Sequence, residues 1–450
     1  MSDSDEKNRH RAVPSGRLSR LSGFGRLAGG VAGGMMAEGA RRISAGERPR
    51  MQDMLLTPGN AKRLTDRLSH LRGAAMKLGQ MISMDAGDVL PPELSDILAR
   101  LRDNASFMPP KQLDKVLADE WGMDWRKQFR RFEPRPIAAA SIGQVHRALL
   151  RDDQMLAIKV QYPGVARSID SDVDNVAGLL RLSGLLPKEL DIVPLLAAAK
   201  EQLHEEADYL REAEQMERYA AMLGSIDGFV VPELHRELTT GKVLAMSFEK
   251  GVPIESLADE PAEVRNTVFS RQLDLVAREL FAFGVMQTDP NFANYRYRPE
   301  TGEIVLLDFG ATRDVAPEIA ASYRKLVEAG LAQDRETALR EAVAAGFVKQ
   351  STVDSHRQRI ERMVDIIVTE LASKETFDFG DRAFVPILRD EGMEIAQDRE
   401  SWHVPPVETL FVQRKISGTA LLGARLKAVV DLRRTVTKVL AENPAPEDEA

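Results

Sequence analysis

The chain has 450 residues, a net charge of −8 and no cysteine. This is a globular composition with ample length to bury a core. It excludes disulfide and thiolate chemistry, and its acidity argues against a nucleic-acid partner for the whole molecule.

No apolar run reaches the ~18–20 residues that a membrane-spanning helix needs. The basic start lacks the h-region and cleavage site of a secretory signal. Neither export nor an ordinary transmembrane helix is expected, and a cytoplasmic protein is.

Residues 1–22 read as flexible and basic, and residues 1–50 hold ten Lys/Arg against five Asp/Glu. Gly25, Gly29 and Gly33 recur at four-residue steps, as do Gly30 and Gly34. On a helix they share a flat face that permits close backbone approach. With Arg17, Arg20, Arg26, Arg41 and Arg42 nearby, this suggests a membrane-surface segment or a homodimer contact. A Gly/Ala linker explains the same residues, since glycine costs helix stability.

Leu64, Leu68, Leu71, Ala75, Leu78 and Ile82 recur at three- and four-residue steps, which predicts an amphipathic helix over 60–86. Pro91 and Pro92 open another helix, with Leu94, Ile97, Leu98 and Leu101 on one face.

After Trp125 the pattern changes. A short strand is predicted over 129–132. A hairpin follows, with strands 144–150 and 155–161 around the Asp152-Asp153 turn. Helices are expected over 165–186 and about 188–224, then strands over 229–235 and 242–247. From Val264 the chain reads as mostly helical, interrupted over 295–307 by a second hairpin turning at Glu300-Thr301-Gly302. The 410–426 stretch is apolar on one face and reads as core. The tail from Glu442 is acidic and reads as disordered. No internal repeat is visible.

A β-rich part before an α-rich part predicts an α+β, protein-kinase-like fold of two lobes. The expected division is a flexible segment 1–50, a helical extension 51–124, an N-lobe 125–250, a C-lobe 251–440 and a tail 441–450.

The strongest chemical signal lies between Gln287 and Gly310. Asp289 and Asn294 stand five apart, and Leu306-Leu307-Asp308-Phe309-Gly310 follows at the end of an apolar strand. Phosphoryl transfer asks for Mg²⁺ on the phosphate oxygens and a group that orients the nucleophile. Mg²⁺ prefers oxygen ligands, which Asn294 and Asp308 supply. Asp289 then faces the attacking hydroxyl or water. Each residue alone reads equally as a turn former; the joint spacing favours the site.

Lys159, in Ala157-Ile158-Lys159 on the second hairpin strand, alone reads as an edge-strand lysine; with Asp289, Asn294 and Asp308 downstream it suits the α/β-phosphates of ATP, with Glu212 as its candidate tether. Ala138, Ala139, Ala140 and Ser141 precede the hairpin, where a kinase carries its Gly-rich phosphate loop. Alanine has less backbone freedom than glycine, so this loop should be stiffer. Lys77 and Gln80 stand one helical turn apart and can address one point. Alone, they read as a solvated helix face.

Together these residues resemble the UbiB family of atypical kinase-like proteins, also called aarF-domain kinases. The resemblance rests on Lys77-Leu78-Gly79-Gln80, the Ala-rich run, Glu206-Ala207-Asp208 with Glu212, and the Asp289, Asn294, Asp308 set, and covers about residues 55–435. Gln287-Thr288-Asp289-Pro290-Asn291 departs from the commoner His-Ala-Asp-Pro-His form and looks like the mitochondrial coenzyme Q kinase-like branch.

The resemblance implies a kinase-like fold with an N-terminal extension. It implies that Lys77 and Gln80 enter the protein-substrate space and that Glu206 and Asp208 hold the extension down. It further implies ATP/ADP and Mg²⁺ as ligands, and a role in ubiquinone biosynthesis at the inner membrane. The implied partners are the membrane surface, a lipid or quinone precursor, and the biosynthetic enzymes. An ATPase, a small-molecule or lipid kinase, and a nucleotide-binding scaffold with negligible turnover stay open.

Overall fold

The computed structural model describes residues 107–183, 193–224, 226–372, 375–401 and 405–444. The Gly-rich segment, the expected helices over 60–86 and from Pro91, Lys77, Gln80 and the end of the tail lie outside them. The chain divides into two compact units. One takes the described residues up to Glu214 and Pro232–Glu249; the other takes those of Gln215–Val231 and those from Lys250 onward.

The first helix among the described residues of the first unit is α1 (Pro110–Trp121), which starts on a proline whose missing N–H costs a helix nothing at that position. Strands β1 (Phe129–Phe132), β2 (Ala138–Ala139), β3 (Gly143–Leu150) and β4 (Met155–Gln161) follow. β1 and β2 both pair antiparallel with β3, and β3 pairs antiparallel with β4. The Asp152-Asp153 turn forms as expected. Asp153 adopts φ 67°, a left-handed conformation that aspartate tolerates.

On β4, period-two alternation sends Leu156, Ile158 and Val160 into a core with Leu117, Trp125 and Phe129. Ala157 and Lys159 then project from the other face.

Helices α2 (Ile169–Ser183), α3 (Val193–Glu206) and α4 (Tyr209–Leu223) come next. The helix expected over about 188–224 is therefore two helices. The break falls at Ala207-Asp208, where Asp208 Oδ1 accepts the Arg211 N–H at 3.1 Å and starts α4 afresh. The helix expected from 165 begins only at Ile169, because 162–168 close turns onto Tyr162 and Val165.

The strand expected over 229–235 is also shorter. β5 (Phe229–Val230) ends ahead of Pro232, which has no N–H to give a ladder. Leu234 keeps one isolated bridge to Met246. β6 (Val243–Ser247) pairs with β4 and completes the five-stranded sheet.

The second unit contains β7 (Val252–Pro253) and the long helix α5 (Ala262–Arg278), which runs on into a π-helical turn over Glu279–Phe283. Gly284, at φ 61°, ends it and turns the chain into β8 (Val285–Gln287). The second hairpin is β9 (Tyr295–Arg298) and β10 (Glu303–Leu306), in register from Tyr295 opposite Leu306. β5 joins β10 in parallel and β7 joins β9, giving a four-stranded sheet. β8 pairs with β11 (Thr312–Asp314).

The rest is helical, as expected: α6 (Pro317–Leu331), α7 (Arg335–Ala344), α8 (Gln350–Ala372), α9 (Phe384–Ala396), α10 (Val407–Leu426) and α11 (Leu432–Glu442). The two-residue strands β12 (Phe377–Asp378) and β13 (Val429–Val430) add a small pair not anticipated. The final helix runs through Glu442, into the stretch expected to be tail. α10 is core, with Leu410, Phe411, Val412, Leu422 and Leu426 buried. No described helix is long and apolar enough to cross a membrane.

Candidate functional site

In the first unit, Lys159 leaves β4 on the face opposite the apolar core and meets Glu212 of α4. Its Nζ lies 2.8 and 2.9 Å from the two Glu212 oxygens. Both side chains are buried, and the Tyr209 ring centroid lies 5.2 Å from the same Nζ. A buried lysine is costly unless paired. This one is held in a fixed place by a carboxylate gripping it through both oxygens.

The Ala-rich run is part strand and part turn. Ala138 and Ala139 pair with Val145 and Gln144, and the Ala140 N–H reaches the Gly143 carbonyl at 2.9 Å. Gly143 closes this turn where no side chain fits. A Cβ there would stand 2.5 Å from the Val160 carbonyl oxygen and 2.8 Å from the Tyr209 hydroxyl.

Ser141 Oγ donates to Glu206 at 2.7 Å, so Glu206 binds the Ala-rich turn. Asp208 caps α4, and Gln161 Nε2 donates to the intervening Ala207 carbonyl at 2.8 Å. The Glu206-Ala207-Asp208 run thus sits at a helix break that β4 and the Ala-rich turn both hold.

Behind the turn lies a polar chain that the sequence reading missed. Gln144 Oε1 accepts the buried Met108 N–H at 2.8 Å, and Gln144 Nε2 stands 2.8 Å from His146 Nε2. His146 Nδ1 lies 2.9 Å from the Glu133 carbonyl oxygen, which can only accept, so Nδ1 carries the proton. Burial pushes the imidazole down to about 4, with the Glu133 bond working the other way. His146 is therefore neutral at pH 7.

In the second unit, Asp289, Asn294 and Asp308 come from a loop and a strand end fixed by β8, β9 and β10. Thr288 anchors the loop through its N–H at 3.0 Å and Oγ1 at 2.8 Å, both to the Ala311 carbonyl. Asn294 Nδ2 donates to the Asp289 carbonyl at 3.3 Å, and Leu307 N–H to the Asn294 carbonyl at 2.9 Å. Asp308 Oδ1 accepts the Gly310 N–H at 3.0 Å.

Asn294 and Asp308 line one cavity. The two residues expected to bind metal thus lie at one cavity. No group of three or more acidic, His or Cys side chains placed to hold a metal ion is found among the described residues. One carboxylate and one amide suit Mg²⁺, which draws its remaining oxygens from phosphate and water. Phe309 is buried, with its ring 5.2 Å from that of Tyr219.

Glu279 and Lys415, which line the same cavity, form a second feature unforeseen from the sequence. Lys415 of α10 and Glu279, the first residue of the π turn, are both fully buried and 3.1 Å apart. Lys415 Nζ also reaches Tyr295 Oη at 3.0 Å and Gln287 Oε1 at 3.3 Å. The Tyr219 hydroxyl donates to Glu279 Oε1 at 2.8 Å. Burial pushes the Glu279 carboxyl up, with Lys415 and Tyr219 offsetting part of it. For Lys415, burial opposes the charge, but the facing Glu279 and Tyr295 outweigh it and hold the ammonium above its usual range. The available signal was Arg414-Lys415 in the middle of an apolar helix.

Residues 100–342 match the ABC1 atypical kinase-like domain. The chain belongs to this family. It is 37% identical over 435 residues to the mitochondrial atypical kinase COQ8 of Saccharomyces cerevisiae, covering 96% of this chain and 86% of that one. The mitochondrial atypical kinase COQ8B of Danio rerio is 38% identical over 432 residues, covering 94% and 68%. Among solved structures, the Rv3197 complex with erythromycin from Mycobacterium tuberculosis aligns with a TM-score of 0.58 at 22% identity, over 84% of this chain and 95% of that one; this likeness concerns the fold.

The expected kinase-like fold and the resemblance to the coenzyme Q branch of the family are thereby borne out. The chain is an atypical kinase-like protein, and phosphoryl transfer is the general chemistry of that class.

Proposed function

We propose that this protein binds ATP with Mg²⁺ and uses it, as an ATPase or atypical kinase, in support of ubiquinone biosynthesis at a membrane surface. The observation that carries the reading is the buried pair of Lys159 and Glu212, a cation fixed by both oxygens of one carboxylate. Such a lysine is preorganised to meet phosphate oxygens at little further cost in side-chain entropy.

The roles follow from the chemistry of each group. Lys159 neutralises the α/β-phosphates and Glu212 holds it. The turn of Ala138, Ala139, Ala140 and Ser141 covers phosphates, with Glu206 fixing Ser141. Asn294 and Asp308 supply oxygens to Mg²⁺, which when bound offsets charge on the transferring phosphoryl group. Asp289 orients the nucleophile, either water or a small lipid-like hydroxyl. The coenzyme Q setting is supported by the similarity to COQ8; the biosynthetic enzymes as partners and peripheral attachment at the inner membrane rest on the resemblance of the motifs to that branch of the family. Lys77 and Gln80 act as a family-specific regulatory pair, and the Gly-rich segment as the membrane or homodimer contact.

Equilibrium binding of ATP with and without Mg²⁺ tests the assignment. Asp308→Asn should lose the Mg²⁺-dependent part of the affinity, because a charged oxygen ligand is gone. Lys159→Ala should weaken binding whether or not Mg²⁺ is present. Affinity in both variants equal to that of the unaltered protein would refute the site.

A further inference from the structure

The loop 288–294 carries Asp289 and Asn294, and its two ends meet on a single cation. Gln287 is the last residue before it and Tyr295 the first after it. Lys415 Nζ contacts Gln287 Oε1 at 3.3 Å and Tyr295 Oη at 3.0 Å, while Tyr295 Oη in turn donates to Gln287 Oε1 at 3.3 Å. An ammonium has three donors and no acceptor, so one side chain closes the mouth of the loop.

The cation is itself located from below. Glu279 stands opposite it, reaching Nζ at 3.1 Å, and also accepts the Gln287 N–H at 3.3 Å. Its position in a π turn is a second signal, since π turns insert one residue into a helix and re-aim the side chains around it. The Tyr219 hydroxyl that donates to Glu279 belongs to the ring packed at a tilt against Phe309, next to Asp308.

The same helix α10 touches the loop once more. An ideal Cβ on Gly418 would stand 2.1 Å from Pro290 Cβ, so the helix backbone lies directly against the residue after Asp289. None of these groups needs to touch nucleotide. A buried ion pair is no efficient way to add stability, because apolar residues of similar volume do as well. Its advantage is directional.

Resting on the reading of Asp289, Asn294 and Asp308 given above, we propose that Lys415 and Glu279 are positioning residues. They hold the two ends of the 288–294 loop at one spacing, so that Asn294 and Asp308 present their oxygens to Mg²⁺ together.

Removing one charge alone would leave the other buried and unpaired and threaten folding. The test therefore uses the neutral double variant Lys415→Met/Glu279→Gln in the full chain, with Tyr295→Phe as a milder variant that removes one hydroxyl. Two readouts are taken: amide hydrogen exchange of 288–310 in nucleotide-free protein, and the Mg²⁺ concentration that half-saturates ATP binding. Asp308→Asn is the control.

The expected result is faster exchange confined to 288–310, with β3 and β4 protected as before. The Mg²⁺ half-saturation should rise tenfold or more in the double variant and severalfold in Tyr295→Phe, while affinity for metal-free ATP holds. If the double variant does not fold, Tyr295→Phe decides alone. Unchanged exchange and a half-saturation within twofold, while Asp308→Asn loses its Mg²⁺ dependence, would overturn the positioning role and leave the site reading intact. If Asp308→Asn binds Mg²⁺ and ATP like the unaltered protein, the site reading falls and the positioning role falls with it.

Discussion

Lys159 and Glu212 illustrate what one buried charge demands of its neighbour. Glu212→Gln keeps the shape of the pair but leaves the Lys159 ammonium buried against a neutral amide. Breaking such a pair typically costs about 3–5 kcal/mol, so a marked fall in melting temperature is expected, together with weaker ATP binding. A variant that melts and binds as before would remove the reason for calling Glu212 a tether.

His146 gives the residue scale a pH dependence. Its imidazole titrates near 4 in the fold against ~6.5 in an unfolded chain. The folded state therefore holds fewer protons than the unfolded one between those values. Stability falls as pH drops from 6.5 towards 4, by about 3 kcal/mol in all if His146 acts alone. Chemical denaturation across that range should show a shallower pH slope in His146→Gln; an identical slope would contradict the neutral, buried assignment.

The same scale shows what a sequence reveals of a site. Asp289, Asn294 and Asp308 were legible because they lie close in the chain at telling spacings. Lys159 and Glu212 were legible only as a pairing suggested by kinase-like order. Lys415 was not, because its partner Glu279 lies 136 residues away. No spacing rule links a helix lysine to a π turn that far upstream.

At the scale of elements, boundaries were lost wherever a single side chain decides them. The 144–150 and 155–161 hairpin was readable because alternation and an Asp-Asp turn agree. The break between α3 and α4 was not, because Glu206-Ala207-Asp208 contains no proline or glycine to mark it. Only the bond from Asp208 Oδ1 to the Arg211 N–H shows a new start. Asp208→Ala should cost about 1 kcal/mol as a lost cap, and because Ala207 receives Gln161 from β4, should also loosen the Ala-rich turn through Glu206. Denaturant midpoints check the first part and hydrogen exchange of 138–143 the second. The two-residue strands β12 and β13 carry too little pattern to be read at all.

Gly418 belongs to this scale as well. Alanine favours a helix, so Gly418→Ala should leave α10 helical. Its new methyl must push Pro290, an overpacking that costs about 1–3 kcal/mol. The expected outcome is a loop shift that lowers ATP turnover more than it lowers melting temperature. Equal activity would mean that the loop tolerates the displacement.

At the scale of the molecule, the α+β kinase-like class followed from a β-rich part preceding an α-rich part, and the family match agrees. The chain carries a local positive balance in residues 1–50 within an acidic whole. If that segment lies on membranes, removing 1–45 should reduce attachment to anionic vesicles, with an effect that fades as salt rises. Equal vesicle binding with and without it would exclude this role.

Whether metal acts through Asp308 is tested by Mg²⁺-dependent phosphate release from ATP by the purified full chain, with and without anionic vesicles, beside Asp308→Asn. Release should rise with vesicles and be lost in the variant. Equal release by both proteins would contradict this, because the metal would then not be working through Asp308.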